Sequence, residues 1–386
     1  MELFEIEKYI RELQRDELSF KNQSINSDEK FILKKRKNVA VSFGIAWHII
    51  LSLLDYFKLL SLVTFRKKVV SNKRIVFTAK NFCTESEGKL QDRIVKPLFT
   101  ENILFINQSK EIHLTRINDQ RVYNIGGVVK LISHIAFRRE NRLMRLFRSY
   151  SFVNDSIIRY LKGSELYILW FYDLNSLSLI FSKYRNNVRL IEVQHGSIIN
   201  YPPYIKPAPV KIADIFYVKN QPTIDYLKTH LCSNFTAEYR LIPYPKIERK
   251  FVPGLHIFYA STVEFNGLHP VFKDFLKRNT FDDLHVIIRL HPRERDKESN
   301  FISELASYNI KYEFDHSQNW LEGNTISNMI VISPWSSSLE DAFDNGFITI
   351  TIDPVGRERY KQFIDNERFF YSDNLVDTIQ LIKKNI

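Results

Sequence analysis

Reactive side chains in this chain gather where apolar runs stop. The run RLIEVQHGSI starts as a buried strand and breaks on Gln194, His195, Gly196 and Ser197. One strand–helix unit earlier, ELYILWFY stops at Asp173, and Leu174, Asn175 and Ser176 open a helix. Consecutive parallel strands tend to be neighbours, so Asp173 and His195 are expected to face one cleft as a carboxylate–imidazole general-base pair. An aspartate at that place equally suits a helix N-cap. Glu85 and Glu87, after the run RIVFTA, are a second source of a carboxylate base. Gln194, Gly196 and Ser197 join them on the side that would hold an acceptor.

The second half repeats the device with different chemistry. VIIRL ends on His291-Pro292-Arg293, and the proline stops the strand with the imidazole at its tip. MIVIS ends on Ser333, then Pro334 and Trp335 lead to Ser336-Ser337-Ser338 and a helix whose first turn holds Glu340 and Asp341. Hydroxyls before a helix with acids in its first turn form an N-cap signature, and free N–H groups at such a start attract anions. Capping alone would also explain the serines. Phosphate charge would be met there by His291 and by Arg289, Arg293, Arg357 and Arg359. The sequence has no Asp-x-Asp pair for a divalent ion, no HExxH, no GxGxxG and no Walker A loop, so no metal or resident cofactor is expected.

Positioning these groups takes a particular frame. RIVFTA, NILFIN, ELYILWFY, VRLIEV and DIFYV read as strands alternating with helical stretches, and LHIFYAS, HVIIRLHP, IKYEF, MIVISPW and FITITID repeat the pattern. The fold class is therefore α/β, with two Rossmann-like domains facing a cleft. Prolines cluster between residues 202 and 253, and beyond DIFYV that zone reads as a linker with turns. The expected division is a helical, basic segment at 1–70, a domain at 71–245 that handles an acceptor, and a donor-binding domain at 246–386.

Of 386 residues, 44% are hydrophobic and 26% charged, the balance of a soluble globular protein. Two cysteines, Cys83 and Cys232, with no CxxC spacing, point to a reducing compartment, and the acidic, helical N-terminal pattern is unlike a secretory signal. The net charge of +11 gathers at Lys34–Lys37, at Arg66–Lys68, and at Arg138, Arg139, Arg142, Arg145 and Arg148. With no nucleic-acid motif beside these clusters, anionic lipid or a phosphorylated substrate is the expected partner, and nucleic acid is not. Residues 39 to 65 are apolar up to Asp55, which is short of the roughly 20 residues a spanning helix needs, so a buried or membrane-grazing helix is expected. The expected location is therefore the cytoplasm, with peripheral attachment to the inner face of the membrane as an option.

The ordered set resembles the metal-independent GT-B glycosyltransferases of bacterial surface polysaccharides. The nearest in pattern are capsule-type Kdo transferases, sialyl- and polysialyltransferases and teichoic acid glycerophosphotransferases. In those families an HP pair and a serine-rich segment hold the nucleotide, matching His291-Pro292 and Ser336 to Ser338, and an HG pair matches His195-Gly196. The chain is also similar to UDP-GlcNAc 2-epimerases around Tyr172-Asp173 and Ser336 to Ala342, though it lacks their double glycine. The resemblance covers roughly residues 160 to 365. It implies an inverting transfer from a nucleotide sugar, CMP-Kdo or a CMP-nonulosonate first, to a surface glycan or lipid-linked acceptor. A nucleotide-sugar epimerase and a non-catalytic membrane-surface binding protein are the alternatives.

Overall fold

The computed structural model describes the chain apart from residues 1–2, 24–40, 66–72, 87, 93, 100, 111, 195, 197, 199–200, 231–235, 244–247, 266, 279–280, 282, 292, 318–319, 325, 365–366 and 386. The expectations for His195, Ser197, Glu87, Pro292, Cys232 and the clusters at 34–37 and 66–68 lie outside the described residues. The chain divides after Tyr244 into two units.

The first unit opens with helices α1 (Leu3–Gln23) and α2 (Val41–Phe65). The strands β1 (Arg74–Thr78), β2 (Cys83–Ser86), β3 (Lys89–Asp92), β4 (Ile103–Asn107), β5 (Arg116–Ile117) and β6 (Gln120–Asn124) follow. Then come α3 (Gly126–Ile135), α4 (Arg142–Ile158), β7 (Ser164–Ile168), α5 (Leu174–Ile180), β8 (Val188–Val193), α6 (Pro202–Ile205), β9 (Ala213–Val218), α7 (Gln221–His230) and β10 (Thr236–Leu241). Its main sheet runs β10-β9-β8-β7-β1-β4-β6-β5, parallel throughout except where β5 meets β6. The central strands are near-continuous apolar runs, as burial of both faces demands. Val76, Phe105, Tyr167, Ile191 and Ile215 line one side of that core.

The second unit contains β11 (Leu255–Ala260), α8 (Pro270–Lys277), β12 (Leu284–Arg289), α9 (Glu298–Leu305), β13 (Lys311–Phe314) and α10 (Trp320–Gly323). It continues with β14 (Met329–Ser333), α11 (Ser338–Asp344), β15 (Ile348–Thr351), α12 (Pro354–Arg359), α13 (Lys361–Ile364), β16 (Phe369–Tyr371) and α14 (Leu375–Asn385). The sheet is wholly parallel in the order β13-β12-β11-β14-β15-β16. Ile257, Tyr259, Phe272, Ile288 and Ile332 pack in its core.

Both units are Rossmann-like, and the α/β class expected from alternating strands and helices is the one observed. In each, the chain starts mid-sheet, builds to one edge, then returns to build the other. The strand order therefore reverses beside the first strand, between β1 and β7 in one unit and between β11 and β14 in the other. Ligands of such sheets bind beyond the carboxyl ends of the strands at that reversal.

Three readings need correction. The zone after DIFYV is not a linker: α7 and β10 occupy it, with β10 extending the sheet beside β9. Pro222 is tolerated because it falls in the first turn of α7, where a missing N–H costs nothing. The strand expected from ELYILWFY ends at Ile168, and a turn through Leu169 to Tyr172 precedes Asp173. The helix expected at 39–65 is there as Val41–Phe65, but its apolar part is not cut short at Asp55: Ala46–Phe65 is long and apolar enough by composition to cross a bilayer, with Asp55 turned inward and matched by Asn124 and Arg121.

Candidate active site

In the second unit the loops after four neighbouring strands are tied by side-chain hydroxyls. Ser261, directly after β11, donates to Glu294 Oε2 (2.6 Å) and accepts from the backbone N–H of His291 (2.8 Å), binding the β11 exit to the β12 exit. Ser333 donates to the Ala260 carbonyl (2.7 Å) and accepts from Ser336 N–H (3.1 Å). Thr351, ending β15, donates to Pro334 O (2.6 Å), and a Cβ on Gly356 would come within 2.0 Å of that carbonyl. Only glycine lets α12 approach so closely. Arg359 and Tyr360 then donate to the Trp335 carbonyl.

This frame fixes the reactive groups. His291 is half-buried, and its Nδ1 accepts from Arg293 N–H (3.2 Å). Burial, then the Arg293 charge, lowers its pKa. The ring is therefore neutral at pH 7 with its proton on Nε2, which makes that nitrogen a donor. Glu264 has its pKa raised by burial, while Arg359 and Arg293 oppose that rise, which puts both guanidinium groups within electrostatic reach of one carboxylate. Phe265 meets Trp335 at 5.3 Å between ring centroids. Hydroxyls, a neutral imidazole, two guanidiniums and an aromatic pair thus border the β11/β14 reversal. Such a set can hold a phosphate ester and stack a planar base.

The serine segment works differently from expectation. Ser337 is the N-cap residue of α11 but makes no side-chain cap bond. Instead Ser336 Oγ accepts from Ser338 N–H (3.2 Å) and bonds the Ser338 hydroxyl (3.1 Å). Ser336 and Ser338 are half-buried and Ser337 is exposed, so these three keep surface for a ligand. Ser333 and Glu340 are fully buried and offer none, which turns them from donor contacts into interior groups. Arg289 is spent on Asp315 (2.6 Å) and the Ser317 carbonyl (2.9 Å). Arg357 lies over the Tyr371 ring.

In the first unit the reversal is aromatic. Phe82, after β1, meets Trp170, after β7, edge-on at 5.1 Å, and Trp170 stacks on Tyr172 at 5.9 Å. Asp173 is the N-cap of α5, accepting from Ser176 N–H (2.8 Å) and its hydroxyl (3.1 Å). Burial pushes its carboxyl up to about 6 against those bonds. On the neighbouring strand Glu192 has no exposed surface. Burial raises it to about 8, opposed by the Tyr204 hydroxyl that donates to it (2.6 Å) and raised further by Asp173. At pH 7 Asp173 is mostly ionised and Glu192 protonated.

Gln194 faces inward, donating to Gly196 O and accepting from Lys219 N–H (both 2.9 Å), so it braces two loops rather than meeting an acceptor. A Cβ on Gly196 would meet nothing within 4 Å. Glu85 is exposed on the separate β2–β3 hairpin. Sequence reasoning missed Ser261, Glu264, Glu294 and Glu192. The last had a signal, a lone acid inside an apolar strand.

No protein-family model matches the chain, and no curated protein matches it. Among solved structures, the GtfA/B complex aligns at a TM-score of 0.37 and 12% identity, over 57% of this chain and 49% of its own. The chain thus spans about half the length of that relative. The lipopolysaccharide outer core galactosyltransferase WaaB aligns at 0.43 and 11% identity, over 72% of this chain and 80% of WaaB. The UDP-GlcNAc 2-epimerase from Neisseria meningitidis, bound to UDP-GlcNAc, aligns at 0.40 and 9%, over 72% and 82%.

Proposed function

We propose that the chain is a metal-independent GT-B glycosyltransferase. It would move a sugar, with inversion, from a nucleotide-activated donor to a surface glycan or lipid-linked acceptor. The observation that carries this reading is the β11/β14 reversal, where hydrogen bonds through Ser261 and Ser333 tie the loop of His291 and Arg293 to the loop of Ser336–Ser338, and Arg359 bonds the Trp335 carbonyl of the latter. Donors fixed in advance on a leaving phosphate stabilise the charge that develops there. The cationic rim favours a donor whose sugar carries its own carboxylate, so a CMP-activated acid such as Kdo or a nonulosonate is the first choice.

On the first unit, Asp173 would take the acceptor proton. A carboxyl near 6 is ionised at neutral pH yet basic enough to work. His195 would assist as an alternative base. Half-buried Trp170 and Tyr172 offer ring faces for an acceptor sugar. Exposed Arg138, Arg139 and Arg142 would hold the protein at the cytoplasmic, anionic face of the membrane, where such acceptors are anchored. The deciding experiment is a panel of CMP-, UDP-, GDP- and dTDP-sugars, monitored for nucleotide release with and without glycolipid. Release from none of them overturns the proposal.

A further inference from the structure

Helix α2 is apolar on its outer face as well as its inner one. A surface helix normally turns polar residues to water and apolar ones to the core. Here the buried positions are Leu59 and Val63 together with His48, Ser52, Asp55 and Tyr56. The exposed ones are Trp47 (60%), Ile50 (48%), Leu54 (51%), Phe57 (62%) and Phe65 (83%). Trp47, Ile50, Leu54 and Phe57 follow at three to four residues and Phe65 comes two turns later, which sets them on one face. From Trp47 to Phe65 that face is about 27 Å long at 1.5 Å per residue.

The inner face is committed to the protein. Asp55 accepts from Asn124 Nδ2 (2.7 Å) and Arg121 (3.4 Å), and Tyr56 bonds the Ser156 hydroxyl (2.7 Å). A Cβ on Gly127 would sit 2.6 Å from Ser52 Oγ, so α2 and α3 meet at a glycine contact. A helix held this way cannot cross a bilayer alone, although Ala46–Phe65 is long and apolar enough by composition. It can lie along one.

We propose that the outer face of α2 inserts into the interfacial layer of an anionic lipid bilayer. The proposal rests on the peripheral attachment proposed above and gives it a contact surface. Charge chooses the occupant. The only acid of α2 is turned inward, while Lys58 is exposed. Exposed Arg138, Arg139 and Arg142 sit at the turn between α3 and α4, the helices against which α2 packs. An apolar, aromatic face with a cation on the same helix and further cations on the same unit suits a lipid headgroup boundary. A second copy would instead bring like charges together, in a chain of net charge +11.

The test uses the whole chain with phosphatidylglycerol–phosphatidylcholine vesicles and two variants, Trp47→Phe and the triple Trp47→Ser/Leu54→Ser/Phe57→Ser. These side chains are exposed, so melting and nucleotide binding serve as folding controls. Three results are expected. Wild-type emission shifts to the blue on binding, and the shift is missing in Trp47→Phe, which still binds. The triple variant loses about a hundredfold in partitioning. Part of the wild-type binding survives about 1 M salt, where the Debye length is about 3 Å. Wild-type binding that salt abolishes and the triple variant retains would overturn the insertion and leave electrostatic attachment standing. No binding to any vesicle overturns both. A wild-type dimer that the triple variant breaks would assign the face to a second copy and overturn the proposal.

Discussion

At the reversal of the first sheet the strand ends meet aromatic rings and two acidic groups, partly buried Asp173 and fully buried Glu192. At the same topological position in the second sheet they meet hydroxyls, an imidazole and guanidinium groups. One strand order thus supports opposite chemistry. Burial drives Asp173 and Glu192 toward their neutral forms, which suits a group that must receive a proton. Burial drives His291 toward its neutral form as well, but a neutral imidazole with Nδ1 occupied is a hydrogen-bond donor. The difference teaches that the connections between strands decide where a site lies, and the residues just past the strand ends decide what it does.

If the first unit supplies the base, Asp173→Asn carries the largest effect. Asparagine is as good an N-cap as aspartate, so α5 should keep its start. General-base catalysis contributes about 10²–10⁴-fold, and kcat should fall by that range with nucleotide affinity unchanged. The wild-type kcat should also decline as pH drops through about 6, where Asp173 takes up its proton. Near-normal turnover in Asp173→Asn would move the base to His195 or out of this unit.

The second unit is probed by His291→Ala, measured by calorimetry with CMP and UDP. A hydrogen bond to a charged group is worth about 1.5–3 kcal/mol, so affinity for the nucleotide that binds should drop by roughly 10- to 100-fold. Asp173→Asn should leave that affinity alone. A variant that mixes the two phenotypes would dissolve the division of labour between the units.

Much of this was legible in the sequence, and the rest was hidden for physical reasons. The central strands announced themselves because burial on both faces leaves runs such as ILFIN and MIVIS. The outlying strands β6 and β10 did not, because QRVYN and TAEYRL carry polar residues and owe their conformation to neighbours. His291 and the serines were visible as polar groups ending apolar runs. Ser261 and Glu294 were not, because their pairing (2.6 Å) depends on β11 lying beside β12, a tertiary fact. Asp173 could be read as base or cap, and the structure shows the cap directly.

A smaller effect separates the two carboxylates of the first unit. Glu192 has a folded-state pKa near 8, raised by burial above its ordinary value of 4.5. The folded protein therefore holds that proton more tightly than the unfolded chain does. Its stabilising effect is complete below pH 4.5 and is lost as pH rises toward 8. Glu192→Gln keeps an acceptor for the Tyr204 hydroxyl and cannot ionise. Its Tm should match wild type near pH 4.5 and exceed it by a few degrees near pH 8.5. Equal melting at both ends would mean that Glu192 is not held neutral.

The smallest expected effect is none, and it bears on the second unit alone. A diphosphate or phosphate leaving group needs positive charge, and many transferases supply it with a divalent ion held by paired carboxylates. This chain has no Asp-x-Asp sequence, and burial raises the pKa of Glu264, a carboxyl within reach of Arg359 and Arg293, which disfavours its ionised form. Neutralisation then falls to the guanidiniums, to His291 and to the serine hydroxyls. Turnover in EDTA should equal turnover in magnesium. Activity that EDTA removes and magnesium or manganese restores would show that Glu264 and a partner carboxylate hold an ion, and the contrast between an anionic first site and a cationic second one would fail.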